Sequence, residues 1–338
     1  MILSYTKFYK LMSDPLVFVI TTGWSFSSGI SLCLKEAGGR PCHVLVQCYW
    51  HGSILVGPAL AFKRQSAQQY PNIKLTYLCN TLGDVKLFQT KGVEAVYIHQ
   101  NAFIDDRIFK INSVAEKKFA AIHIANVQAL KRHDLAGGIS SIAVITYDPS
   151  EEQNYSELDH YKNLGFINRS EDGSIHPLSR VEVAKIIQHS NSGLILSKKE
   201  GANFASAEYL LTGIPVVSTP SIGGRAEFFD SRHVKIVEPN AVAVEQAVAE
   251  WALNPPPAEE VRESVLKKCR EHRRRLLDFL GEISKNDVYA DVDENYWSPL
   301  FVDKLTLDVP VSPEDMIELW AREKWQWRIY KKVRAYFK

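Results

Sequence analysis

The sequence is poor in the features that would take it out of the ordinary globular class. Cysteine is scarce: among 338 residues there are five, at positions 33, 42, 48, 79 and 269. Their number is odd and none forms a C-x-x-C pair, which excludes a disulfide framework and a structural zinc site and fits reduced thiols. No sign of charge predominates. Lys and Arg total 40 against 39 Asp and Glu, a formal net charge of +1, so nothing global draws the chain to nucleic acid. Long apolar runs are missing too. No stretch approaches the roughly 20 apolar residues that span a bilayer. The run LVFVITT at 16–22 is too short for the core of a cleaved signal. The expectation is a cytoplasmic protein.

What is present is a 46% hydrophobic, 23% charged composition of the globular kind, in a chain long enough for two domains with separate cores. Short apolar runs alternate with helical patterns. LVFVITT (16–22), HVLVQ (43–47), IKLTYLC (73–79) and VEAVYI (93–98) read as strands with helical stretches between them. HQNAFIDDRIFKINSVAEKK (99–118) breaks the rhythm as a linker, and the alternation restarts with FAAIHIA (119–125). There KRHDLAGGI is expected to be a helix, followed by SIAVITY (141–147), an acidic loop, NLGFIN (163–168), a helix over 179–191 and GLILS (193–197). FASAEYLLTG (204–213), IPVVST (214–219), VKIVE (234–238) and helices near 241–253 and 258–284 complete the second half. Crossovers of this length imply parallel sheets covered by helices on both faces, with ligands beyond the carboxyl ends of the strands.

The most informative stretch is KKEGANFASAEYLLTGIPVVSTPSIGGRAEFFD, at 198–230. Glu200 lies just past a buried strand, Asn203 is a good N-cap, and Gly213 stops the helix that follows. Gly201 and Ala202 leave room beside the amides of the first turn, which with the helix dipole suit a diphosphate. Glu208 sits about 7.5 Å along the helix from Asn203, so the two acids are no close dyad. Flanking a phosphate site, they would bind neutral diols on either side of it, the layout of a nucleotide-sugar. Gly223 and Gly224 offer backbone amides at close range to the same ligand.

This stretch resembles the signature region of the retaining glycosyltransferases of family 4, which have the GT-B fold. Glu200, Glu208, Gly213-Ile214-Pro215-Val216-Val217 and Gly223-Gly224 match its E-x7-E, G-x-P-V-V and glycine-rich turn in order. The resemblance implies an α/β chain with two Rossmann-like domains facing a cleft and a helical C-terminal tail. By it, Glu200 contacts the donor sugar near the reacting carbon, Glu208 holds the ribose hydroxyls, and the amides of Gly201, Ala202 and Asn203 cradle the diphosphate. Lys131 stands where the family has a lysine that steadies the leaving group. Ala125 and Asn126 stand where it has an arginine, and Arg132 would supply that charge from another direction. The string HQNAFID resembles the family's interdomain linker. The expected division is therefore a small acceptor domain at 1–110, a donor domain at 111–285 and an aromatic, basic tail at 286–338.

Other candidates are weaker. Gly23 is the best match to the family's glycine-rich loop in the first domain. His51, beyond a strand end, is the choice for a histidine near the acceptor, with His99 second, against the bland reading that a lone histidine is structural. Arg225 and Glu227 either touch ligand or form a surface salt bridge. Asp291-Val292-Asp293 has a manganese-binding D-x-D form but reads as surface charge in a tail. From Lys324 onward six basic residues and no acid are interleaved with aromatics, which suits packing on the first domain or an anionic lipid surface.

The expected activity is metal-independent sugar transfer from a nucleotide-sugar donor to a hydroxyl of a glycan or lipid-linked acceptor, with retention, in surface polysaccharide or glycoconjugate synthesis. No cofactor and no nucleic-acid partner is expected. A nucleotide-sugar epimerase of the same fold and a non-catalytic glycan-assembly scaffold are the alternatives.

Overall fold

The structure, a computed structural model, describes residues 4–23, 25–147, 166–172, 174–285 and 297–311. The expected acidic loop, Gly165, the D-x-D string and the basic aromatic helix lie outside them. The chain forms two units, one of Met1–Phe103 with Cys269–Lys338 and one of Ile104–Lys268.

In the first unit β2 (Leu16–Thr21), β3 (Cys42–Gln47), β4 (Ile73–Cys79) and β5 (Ala95–Tyr97) pair in parallel and in sequence order. Every residue of β2 is buried, as a near-continuous apolar run requires in a strand covered on both faces. The crossovers are α1 (Ser25–Ala37), α2 (Gly52–Gln69) and α3 (Leu82–Thr90). The order never reverses, so right-handed crossovers bring all three helices to one face. One core cluster accordingly joins Ile30, Phe62 and Phe88 of these helices to Phe18, Val44 and Tyr77. This corrects the expectation of crossover helices on both faces here. The opposite face is met from the other end of the chain, where Gln47 Nε2 donates to the Lys304 carbonyl at 3.0 Å.

Two strands escaped the sequence reading. β1 (Ser4–Ser13) runs antiparallel to β2, and β11 (Leu307–Val311) runs antiparallel to β1, giving a six-stranded sheet. The described part of the tail is thus a strand and a 3-10 turn at Asp303–Leu305, while the expected tail helix from Ser312 onward lies outside the described residues. The polar alternation of SYTKFYKLMS disguises β1, because one of its faces carries Lys7 to an ion pair with Asp308 at 2.7 Å.

The five-stranded sheet of the second unit is parallel throughout. β6 (Phe119–Ile124), β7 (Ile142–Ile145), β8 (Ser190–Ile195), β9 (Val216–Ser218) and β10 (Val234–Ile236) stand in the order β10-β9-β8-β6-β7. The order reverses between β6 and β8. That reversal opens a crevice at their carboxyl ends, the place where doubly wound sheets bind ligands. Here both faces are covered, by α6 (Ala241–Leu253) with Leu135 and Ile139 on one and α5 (Phe204–Leu211) on the other. Gly193 of β8 is required by that packing, since a Cβ there would fall inside the ring of the fully buried Tyr209. α4 (Arg180–Gln188) starts on a capping box: the Glu182 amide donates to Ser179 Oγ at 3.3 Å and the Ser179 amide donates to Glu182 Oε2 at 2.8 Å. α7 (Ala258–Ser284) follows the three prolines as expected.

Two expectations fail in this unit. KRHDLAGGI forms two 3-10 turns, Ala129–Lys131 and His133–Ala136, and no α-helix. Arg132 between them has φ 52°, a left-handed conformation that interrupts helical propagation. Of NLGFIN, Phe166 makes only an isolated bridge to Val144 among the described residues.

Candidate functional site

The loops beyond β8 and β9 are zipped together. The Glu200 amide donates to the Ile222 carbonyl at 3.0 Å, the Ile222 amide to the Lys198 carbonyl at 3.2 Å, and the Gly224 amide to the Gly201 carbonyl at 2.6 Å. Gly223, at φ 124°, lies against this seam, where a Cβ would overlap the Glu200 carbonyl oxygen. The two glycines therefore serve close backbone approach, and the Gly224 amide, expected to face the ligand, is engaged with Gly201.

This seam delivers Glu200 into the crevice. Its Oε1 accepts from Lys131 Nζ, from Ser197 Oγ at 2.5 Å and from Asn203 Nδ2 at 3.1 Å. Among the described residues its Oε2 accepts no hydrogen bond. Lys131 follows β6 and Glu200 follows β8, so their ion pair straddles the reversal in strand order. Both side chains are 9% exposed. Burial works against the Glu200 carboxylate, but Lys131, Ser197 and Arg225 outweigh it and hold its pKa below the usual range. Burial likewise opposes the Lys131 charge, and Glu200 more than restores it, leaving that pKa raised. Both groups are charged at neutral pH.

Asn203, at φ 61°, caps α5, accepting from the Ser206 amide at 2.9 Å while its Nδ2 holds Glu200. Gly201 and Ala202 are buried in the loop before it. One turn further on, Glu208 is 3% exposed and its Oε1 accepts from Arg180 Nη1 at 2.6 Å. The Arg180 guanidinium lies over the Phe109 ring, 4.5 Å from its centroid. The two glutamates thus have separate cations.

Arg132 is held by the protein's own strand ends. Its Nε donates to the Leu196 carbonyl at 2.6 Å and its Nη2 to Thr219 Oγ1 at 2.9 Å, tying the ends of β8 and β9. Arg225 forms no surface salt bridge. It is 2% exposed and donates to the carbonyls of Ser197, at 2.9 Å, and Thr219. Burial pulls its pKa down to about 10, which still leaves it charged.

In the first unit, His51 is the N-cap of α2, its Nδ1 accepting from the Ser53 amide at 3.2 Å. Its Nε2 lies 3.8 Å from Asp84 Oδ1. His99 is fully buried and its Nδ1 accepts from the Asn101 amide at 3.2 Å. Gly23 has φ 91° with open space around it, so it serves the turn into α1.

Sequence reasoning missed Arg180 and Tyr147. The capping box at Ser179 and Glu182 marks where Arg180 starts its helix, but nothing local names Glu208 as its partner. Tyr147, just past β7, has its phenol pKa pushed up mainly by burial, so it stands neutral near the charged Lys131 and Glu200. Among the described residues, no three His, Cys, Asp or Glu side chains gather as a metal site, and no helix is long and apolar enough to cross a membrane.

An α/β chain with one monotonic and one reversed sheet, matched by solved glycosyltransferases, has the GT-B fold. The Anabaena protein HepE, solved with UDP-glucose, superposes with a TM-score of 0.54 at 12% identity, covering 78% of each chain. A glycosyltransferase from Rickettsia africae gives 0.51 at 14% identity, covering 77% of this chain and 81% of its own. TarM gives 0.52 at 12% identity, covering 74% of this chain and 58% of its own. No protein-family model and no curated protein matches the sequence.

Proposed function

We propose that the chain is a glycosyltransferase that takes a sugar from a nucleotide-sugar donor bound at the carboxyl ends of β6 and β8. The observation that carries this reading is the buried Lys131–Glu200 pair at the reversal in strand order. The UDP and UDP-glucose in the HepE structures support a nucleotide-sugar as the ligand class.

In this reading Lys131 stabilises negative charge on the departing diphosphate, helped by the loop Gly201–Asn203 at the start of α5. Glu200 Oε2 accepts from a sugar hydroxyl, and Glu208, steadied by Arg180, accepts from the ribose diol. The acceptor is a hydroxyl of a glycan or lipid-linked acceptor, and transfer proceeds with retention. No metal is assigned a role, so activity should survive EDTA in an assay of nucleoside diphosphate release. Strict dependence on added manganese would overturn that part.

The donor test is calorimetry with UDP, or with whichever nucleoside diphosphate stabilises the protein most in a thermal-shift panel. Glu208→Ala is expected to weaken binding about 10- to 100-fold, the worth of charge-assisted hydrogen bonds. Unchanged affinity would sink the ribose assignment. An enzyme that converted donor without any acceptor would instead be an epimerase.

A further inference from the structure

Resting on the nucleotide-sugar reading, we infer that Arg225 is the second buried cation of the diphosphate site, a charge delivered from the loop after β9.

The inference starts from the balance of buried charge. Lys131 and Arg225 both act on the carboxylate of Glu200, and both are buried. Arg132 adds to the positive charge around Arg225, while Asp134 acts on Arg132 itself. Two buried cations therefore share one buried carboxylate, and one positive charge is left over. A desolvated charge without a partner is costly unless an anion joins it. A diphosphate brings that anion, and it brings more charge than Lys131 alone offsets.

The location agrees. Arg225 reaches the carbonyl of Ser197, the residue whose hydroxyl donates to Glu200 Oε1. Its second carbonyl partner, Thr219, lies just past β9. The guanidinium thus sits among the strand ends that surround the crevice. On the β6 side, Ala125 and Asn126 bring no charge at all. Bracing two carbonyls needs only neutral donors, so the charge of Arg225 is not explained by its hydrogen bonds.

The loop that carries it is fixed in place by the neighbouring seam. Gly224 opens the 3-10 turn Gly224–Phe228 and is tied to Gly201 through its amide. Arg225 is therefore preorganised before ligand arrives, which is what an electrostatic site requires.

The test is calorimetry with UDP and with uridine, on wild type, Arg225→Met and Arg225→Lys. If the panel selects another base, its diphosphate and nucleoside replace these two. Arg225→Met should weaken diphosphate binding about 10- to 100-fold and leave nucleoside binding unchanged. Arg225→Lys should keep the ratio of diphosphate to nucleoside affinity near the wild-type value. If both ligands weaken together in Arg225→Met, or neither does, the inference is overturned. Should that variant fail to fold, Arg225→Lys decides: a preserved ratio supports the role of charge, and a ratio that collapses overturns it. Wild type that binds no nucleoside diphosphate would overturn the nucleotide reading itself and this inference with it.

Discussion

Lys131→Met should cost the fold about 3–5 kcal/mol, because it leaves the buried Glu200 carboxylate without its closest cation. In a thermal melt that corresponds to a drop on the order of 10 °C. The pH dependence carries a sharper signature. Glu200 has a lowered pKa in the folded protein, so its contribution is present above the usual carboxylate range and is lost as pH falls through the folded value. Lys131 has a raised pKa, so its contribution is present below the usual lysine range and is lost as pH rises through the folded value. Between about pH 5 and pH 10 the pair contributes fully. In Lys131→Met burial acts on Glu200 with less opposition, and protonation relieves it. The stability gap between variant and wild type should therefore be wide at pH 7 and narrow toward pH 4. A gap that stays constant with pH would mean that the pair does not couple to folding. Donor affinity should fall as well, since the same nitrogen faces the diphosphate in the proposed complex.

Gly223→Ala is the second change expected to be severe. Its φ of 124° with ψ of −172° belongs to a region that is essentially reserved for glycine. The new methyl would also meet the Glu200 carbonyl, which is backbone and cannot swing aside. Strain and overlap together should cost on the order of 3 kcal/mol. Relief requires the two loops to part, which moves Glu200 and Arg225, so nucleoside diphosphate binding should be lost even where the protein remains folded. Gly23→Ala is the control. It also has a positive φ, 91°, but meets nothing within 4 Å. Denaturant melts of the two variants separate strain alone from strain plus collision. Equal costs would show that the loops give way freely.

Much of this site is legible in the sequence because its parts are close in the chain and each has a local cause. A buried strand, an asparagine cap, small residues in the helix and a stopping glycine suffice to place Glu200, Asn203 and Glu208. The partners of the two glutamates are another matter. Arg180 is 28 residues from Glu208, and Arg225 braces a carbonyl 28 residues back, so only the folded sheet brings them in. The turns around Lys131 were misread as a helix because propensity says nothing of a residue held at positive φ by bonds to distant strands. That His51 also caps α2 is settled only by the Ser53 amide, which a histidine before a helix does not announce. β1 and β11 are hidden for a related reason: β11 is a strand only because β1 pairs with it, and β1 lies between β11 and β2, partners that its own residues do not name.

That pairing also sets a timetable. The second unit is continuous from Ile104 to Lys268, so all of its strands have left the ribosome while synthesis still runs. The first unit begins earlier and finishes later, because β1 waits for β11 about 300 residues downstream. Until Leu307–Val311 emerges, β1 is an open edge, and its unpaired amides and carbonyls can recruit another strand. During translation, then, the segment of the first unit made first is the one that needs protection longest.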